Sequence, residues 1–84
     1  MNKIEFTGKA AKQLSKLDRS TQRKVAEALG TLMVNELFTS LQIKQLKSPQ
    51  KSYRLRTGDY RILFEKSENL ITIHHIGHRK DVYE

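Results

Sequence analysis

The stretch Tyr53-Arg54-Leu55-Arg56-Thr57-Gly58-Asp59-Tyr60-Arg61-Ile62-Leu63-Phe64 decides the fold. It reads as two β-strands around a Gly-Asp turn. Gly at the first of two turn positions suits a type II′ hairpin, which needs positive φ there. A two-residue turn sets the register: Thr57 faces Tyr60, Arg56 faces Arg61, Leu55 faces Ile62 and Tyr53 faces Phe64. Successive side chains alternate between faces, so Arg54, Arg56 and Arg61 share one side. Tyr53, Leu55, Tyr60, Ile62 and Phe64 share the other. Like charges placed opposite one another destabilise a sheet. Three arginines so arranged point to a polyanion as their counter-charge.

Upstream of the hairpin, Ile4 and Phe6 alternate with polar residues and predict a short first strand. Thr7 is placed to cap a helix carrying Ala10, Ala11, Leu14 and Leu17 at helical spacing. Asp18 or Ser20 caps a second helix, from about residue 20 to 38, with Val25, Ala28, Leu29, Leu32 and Leu37 as its apolar stripe. The short connection makes the two helices an antiparallel hairpin. Gly30, unfavourable inside a helix, is read as a close-packing point. Residues 39–51 read as a basic loop with Lys44, Lys47 and Lys51, anchored by Leu41, Ile43 and Leu46.

Downstream, Ser67-Glu68-Asn69 reads as a turn and Leu70–Ile76 as a third hairpin strand. Placing Ile71 and Ile73 in the core sets Ile71 against Phe64 and Ile73 against Ile62. That register puts His74 beside Arg61 and turns His75 toward the helices. Gly77 then ends the strand, and His78-Arg79-Lys80-Asp81-Val82-Tyr83-Glu84 forms a basic tail. The order is β-α-α-β-β-β. It describes a two-layer α+β domain over residues 1–84, with the helix hairpin on one face of a mainly antiparallel sheet.

Composition narrows the function. Sixteen Lys+Arg against nine Asp+Glu give a net charge of +7 and a pI near 9.9. On a small domain that is the electrostatic footprint of a nucleic-acid binder, or of a protein neutralised by an acidic partner. The absence of cysteine excludes disulfides and thiolate metal sites, and is compatible with a reducing cytoplasm. No apolar run is long enough for a transmembrane helix or a signal-peptide core.

The open face groups Arg54, Arg56, Arg61 and His74 with the tail residues His78, Arg79 and Tyr83. Lys44, Lys47, Lys51 and Lys80 are further candidates to contact a nucleic-acid backbone. Guanidinium groups bind phosphate bidentately and stabilise a charged transition state. Histidine moves protons near neutral pH, and tyrosine stacks on bases. These groups suit metal-free RNA cleavage, in which the ribose 2′-OH attacks its own phosphate. No Gly-rich phosphate loop, HExxH or carboxylate cluster is present, so neither metal nor cofactor is expected.

The segment 53–64, followed by Ile76-Gly77-His78-Arg79-Lys80-Asp81-Val82-Tyr83, resembles the RelE/ParE superfamily of type II toxin–antitoxin toxins, and within it the RelE branch. The resemblance implies an mRNA interferase that enters the ribosomal A site, cuts mRNA without metal and leaves a 2′,3′-cyclic phosphate. It implies that Arg61 holds the scissile phosphate and that Arg79 serves the leaving 5′-oxygen. Tyr83 then stacks on the mRNA, Arg54 takes a basic position of the active site, and His78 carries the proton. It also implies a cognate antitoxin as partner, beside the ribosome and mRNA. Ser52 and Arg54 stand where the best-known RelE pattern has lysines. Arginine is a poor general base, so His78, Lys51 and His74 are the candidates for that role. A ParE-like inhibitor of DNA gyrase and a catalytically weak RNA- or partner-binding module are the alternative readings.

Overall fold

Gly58 takes φ 58 at the first turn position, and the strands on either side pair as the turn dictates: Thr57↔Tyr60, Arg56↔Arg61, Leu55↔Ile62 and Tyr53↔Phe64. The structure is a computed structural model and describes residues 2–34, 42–46 and 52–80. Its elements are β1 (Lys3–Phe6), α1 (Gly8–Ser15), α2 (Arg19–Leu32), β2 (Gln42–Gln45), β3 (Ser52–Thr57), β4 (Tyr60–Ser67) and β5 (Leu70–His78). They form one sheet in the order β1-β5-β4-β3-β2, with β1 parallel to β5 and every other pair antiparallel. The two-layer architecture is the one expected, with a strand added inside the segment read as a basic loop. There Ile43 pairs with Leu55 and packs on the core, while Lys44 pairs with Arg54.

Both helices begin as their sequences require. The Thr7 hydroxyl accepts from the Ala10 amide at 3.1 Å, and Asp18 Oδ1 accepts from the Thr21 amide at 3.2 Å. That hydrogen bond holds the Asp18 carboxyl below its usual range. Each cap satisfies an amide that the first helical turn leaves without a partner. Ala10 is buried and Leu14 and Leu17 pack against the core, whereas Ala11 faces solvent. Val25, Ala28, Leu29 and Leu32 of α2 are buried as the stripe predicts. The helix closes at Leu32 rather than near Phe38. Asn2 then ties the carboxyl end of α2 to the start of β1: its Nδ2 donates to the Leu32 carbonyl and its amide to the Met33 carbonyl, both at 2.8 Å. Gly30 is exposed, and a Cβ there would meet nothing within 4 Å, so it is not a close-packing point.

The β4–β5 register differs from the expected one. The turn contains two residues, Glu68 and Asn69, and pairs Ser67 with Leu70. Phe64 therefore faces Ile73, and Lys66 faces Ile71. A bulge follows between Leu63 and Phe64, so that Leu63 faces His75 and Ile62 faces Ile76. His74 is the extra residue. Gly77 does not end the strand; it pairs with Arg61, and β5 runs on to His78. Leu55, Ile62, Phe64, Ile71, Ile73 and Ile76 close the core against the helices. The Tyr53 ring stacks on Phe64 with centroids 5.4 Å apart. Leu37, Phe38, Leu41, Lys47, Lys51 and Tyr83 lie outside the described residues.

Candidate nucleic-acid interface

The side of the sheet away from the helices carries two cross-strand rows of basic residues. Arg56 lies opposite Arg61, and Arg61 opposite Gly77. In the next row Lys44 lies opposite Arg54, which lies opposite Leu63. Lys44, expected on a loop, is thus a strand residue that widens the arginine face. Gly77 gives Arg61 a cross-strand neighbour without a side chain.

Arg61 is the electrostatic centre of this face. Its pKa lies below the ordinary guanidinium value, first because partial burial disfavours the cation and then because Arg56, Arg54 and Arg79 repel it; Asp59 acts in the opposite sense. The group stays charged at neutral pH all the same. Four like charges held together, one of them partly desolvated, form a site whose energy falls when an anion arrives. Arg79 reaches the group from the end of β5. Its amide donates to the Asp59 carbonyl at 2.7 Å, and its Nε lies 4.0 Å from Asp59 Oδ1. The turn that sets the hairpin register also fastens Arg79 beside it. Lys80 is exposed in the turn that follows.

The three histidines separate. His74 keeps to the open side but lies beside Glu65, with Nε2 3.1 Å from Oε1, and not beside Arg61 as the expected register implied. The two-residue turn and the bulge account for the displacement. His75 reaches α1, as its expected direction implied: Gln13 Oε1 accepts from the Ile76 amide at 2.8 Å, which leaves Gln13 Nε2 to donate to His75 Nδ1 at 3.0 Å. Burial first, and Lys9 second, push the His75 pKa below its ordinary value. His78 follows Gly77, so alternation turns it to the helix side, across the sheet from Arg61. Its ring meets Tyr60 edge-on at 5.5 Å, and its Nδ1 accepts from the Lys80 amide at 3.2 Å. His78 therefore does not join the arginine face.

Sequence reasoning missed Glu65, Gln13 and β2. Two signals were present. Ile71, Ile73 and Ile76 are spaced by two and then by three, the mark of one extra residue in a strand. Leu41-Gln42-Ile43-Lys44 alternates as a strand does. Among the described residues no cluster of three His, Cys, Asp or Glu side chains could hold a metal. None of their helices is long and apolar enough to cross a membrane.

Comparison with known proteins gives the same fold. The archaeal RelE–RelB complex from Pyrococcus horikoshii OT3 contains a chain that superposes with a TM-score of 0.79 at 20% identity, over 96% of this chain and 98% of that one. YafQ from E. coli strain BL21(DE3) superposes with a TM-score of 0.77 at 13% identity over the whole of both chains. The RelB–RelE antitoxin–toxin complex from Methanococcus jannaschii gives 0.70 at 26% identity, over 94% of each chain. In sequence, Toxin RelE3 of Methanocaldococcus jannaschii is 33% identical over 60 residues, which are 71% of this chain and 66% of that relative. The family model described as ParE toxin of type II toxin-antitoxin system, parDE, matches residues 4–83. With the hairpin, the helix pair and the arginine face in place, the chain belongs to the RelE/ParE family of type II toxin–antitoxin toxins.

Proposed function

We propose that this toxin is a ribosome-dependent mRNA endonuclease and that the arginine face is where it meets RNA. The observation that carries this reading is the group of Arg54, Arg56, Arg61 and Arg79, with Arg61 at its centre. Arg61 holds the scissile phosphate, with Arg54 and Arg56 on the adjacent backbone. Arg79 stabilises the leaving 5′-oxygen, and Tyr83 stacks on the message and orients the 2′-OH. The ribose 2′-OH attacks its own phosphorus, the 5′-oxygen leaves, and a 2′,3′-cyclic phosphate results. RNA alone supplies that nucleophile. With His78 turned to the helix side, His74 and Lys51 are the residues left to take the 2′-OH proton. Lys44, Lys47 and Lys80 add phosphate contacts. The solved RelB–RelE complex from Methanococcus jannaschii supports a cognate antitoxin as partner. Its acidic or amphipathic segment neutralises the basic face.

A second reading, inhibition of DNA gyrase, is favoured by the match to the ParE model. Primer extension on an mRNA translated in a bacterial cell-free extract separates the two. Codon-spaced cuts that need translation support the endonuclease. Blocked translation without cuts points to a ribosome binder lacking catalysis. Undisturbed translation together with lost supercoiling activity of purified gyrase supports the ParE-like reading.

A further inference from the structure

Behind the hairpin tip, on the helix side, α2 and the turn enclose a cleft of about 130 Å³. Thr21, Lys24 and Val25 line it from the helix, and residues 57–60 from the turn. An apolar cavity of about 150 Å³ accepts benzene, so this volume is that of a single flat ring. The lining suits a ring with polar edges. Tyr60 and Val25 are the cleft's aromatic and aliphatic lining residues. Thr21, Thr57, Lys24 and Asp59 are the lining residues whose chemistry can donate and accept hydrogen bonds. The His78 ring, itself held by the Lys80 amide, braces Tyr60.

The cleft also has a place relative to the arginines. Thr57 and Tyr60 form the cross-strand pair next to Arg56 and Arg61, and alternation sends the two pairs to opposite sides of the sheet. Only the Gly58-Asp59 turn separates the sides here, and Gly58 has no side chain to obstruct a strand crossing it. Arg79 is fastened to that turn through Asp59.

We propose that the cleft is a nucleobase subsite. An RNA strand whose phosphates lie along Arg61 and Arg79 turns over the hairpin tip and places one base, a pyrimidine by size, against Tyr60. Thr21, Lys24, Thr57 and Asp59 read its edge. His78 is then a positioning residue for Tyr60 rather than a proton carrier. This inference rests on the reading of the arginine face as RNA-binding, and it predicts a sequence preference at the cleavage site that the arginines do not set.

The test is a titration of the protein with uridine 3′-monophosphate, followed by amide chemical shifts, with inorganic phosphate and adenosine 3′-monophosphate as comparisons. Uridine 3′-monophosphate is expected to shift Arg61 and also Thr21, Lys24, Gly58 and Tyr60, whereas phosphate shifts Arg61 alone. Adenosine 3′-monophosphate is expected to bind more weakly at the cleft. Thr21→Phe fills the cleft from a half-buried position in the first turn of α2 and keeps the backbone amide that Asp18 caps. It should abolish the cleft shifts and lower uridylate affinity about tenfold, within the range of one stacked base. Lys24→Ala, at an exposed position, should weaken the same shifts if Thr21→Phe proves unfolded. Phosphate shifting the cleft as uridylate does would make it an anion site and overturn the proposal. Cleft amides unmoved by either nucleotide would overturn it as well, as would a Thr21→Phe toxin that cuts with unchanged sequence preference. A wild-type protein that cuts no message counts against the endonuclease reading, and the titration still decides the cleft.

Discussion

On the helix side of the central strands Leu55, Ile62, Phe64 and Ile73 are at most 1% exposed. On the open side, one residue away along the same strands, stand Arg54, Arg56, Arg61 and the Glu65–His74 pair. The first side removes apolar surface from water and holds the fold together. The second sets like charges against one another, which costs stability and is repaid when an anion binds. A single two-residue turn distributes the strand residues between these tasks. Stability and function should therefore be separable by substitutions one residue apart.

The largest effect is expected from Phe64→Ala. Removing a ring that is 1% exposed and stacked on Tyr53 should lower unfolding stability by about 3–5 kcal/mol in urea denaturation. Arg61→Ala is the converse. It relieves repulsion from Arg56, Arg54 and Arg79, so its melting temperature should match or exceed the wild type while RNA cleavage falls about 100-fold or more. RNA affinity should also depend less steeply on salt in this variant, because fewer counterions are released.

A smaller effect joins the two layers. Neutral His75 accepts from Gln13, and burial with Lys9 nearby lowers its pKa in the folded protein. The unfolded chain takes up this proton near the ordinary value of 6.5. The contribution of His75 is therefore present above that value and is lost as pH falls through the lower, folded one. Denaturation midpoints measured below pH of about 6.5 should fall faster for the wild type than for His75→Gln. The smallest effect is Gly30→Ala. With open space around the added Cβ, it should stabilise the helix layer by about 0.5–1 kcal/mol in thermal melts and leave cleavage unchanged.

The same contrast between turns explains what the sequence made legible. At Thr57–Tyr60 a glycine occupies the positive-φ position, and every pairing in that hairpin could be read from it. At Ser67–Leu70 the corresponding residue is Glu68, at φ 52. Nothing in its chemistry announces that conformation, and Ser67-Glu68-Asn69 reads as a three-residue turn. Placing Ile71 and Ile73 in the core without that two-residue turn sets each of them two positions from its observed partner and brings His74 beside Arg61. The tail was misread for a related reason. Gly77 looked like a strand breaker, but as a strand residue it carries β5 on to His78 and hands that imidazole to the helix side. The helix caps and apolar stripe, by contrast, depend on contacts three or four residues apart, and α2 met its expectations as far as Leu32.

The most direct measurement compares wild type and Arg61→Ala in the same translating extract, at equal concentrations of folded protein, by primer extension on one message. Codon-spaced, translation-dependent cuts are expected from the wild type, with their near disappearance in Arg61→Ala. Equal cutting by the two proteins would contradict it, because the arginine face would then not be the site.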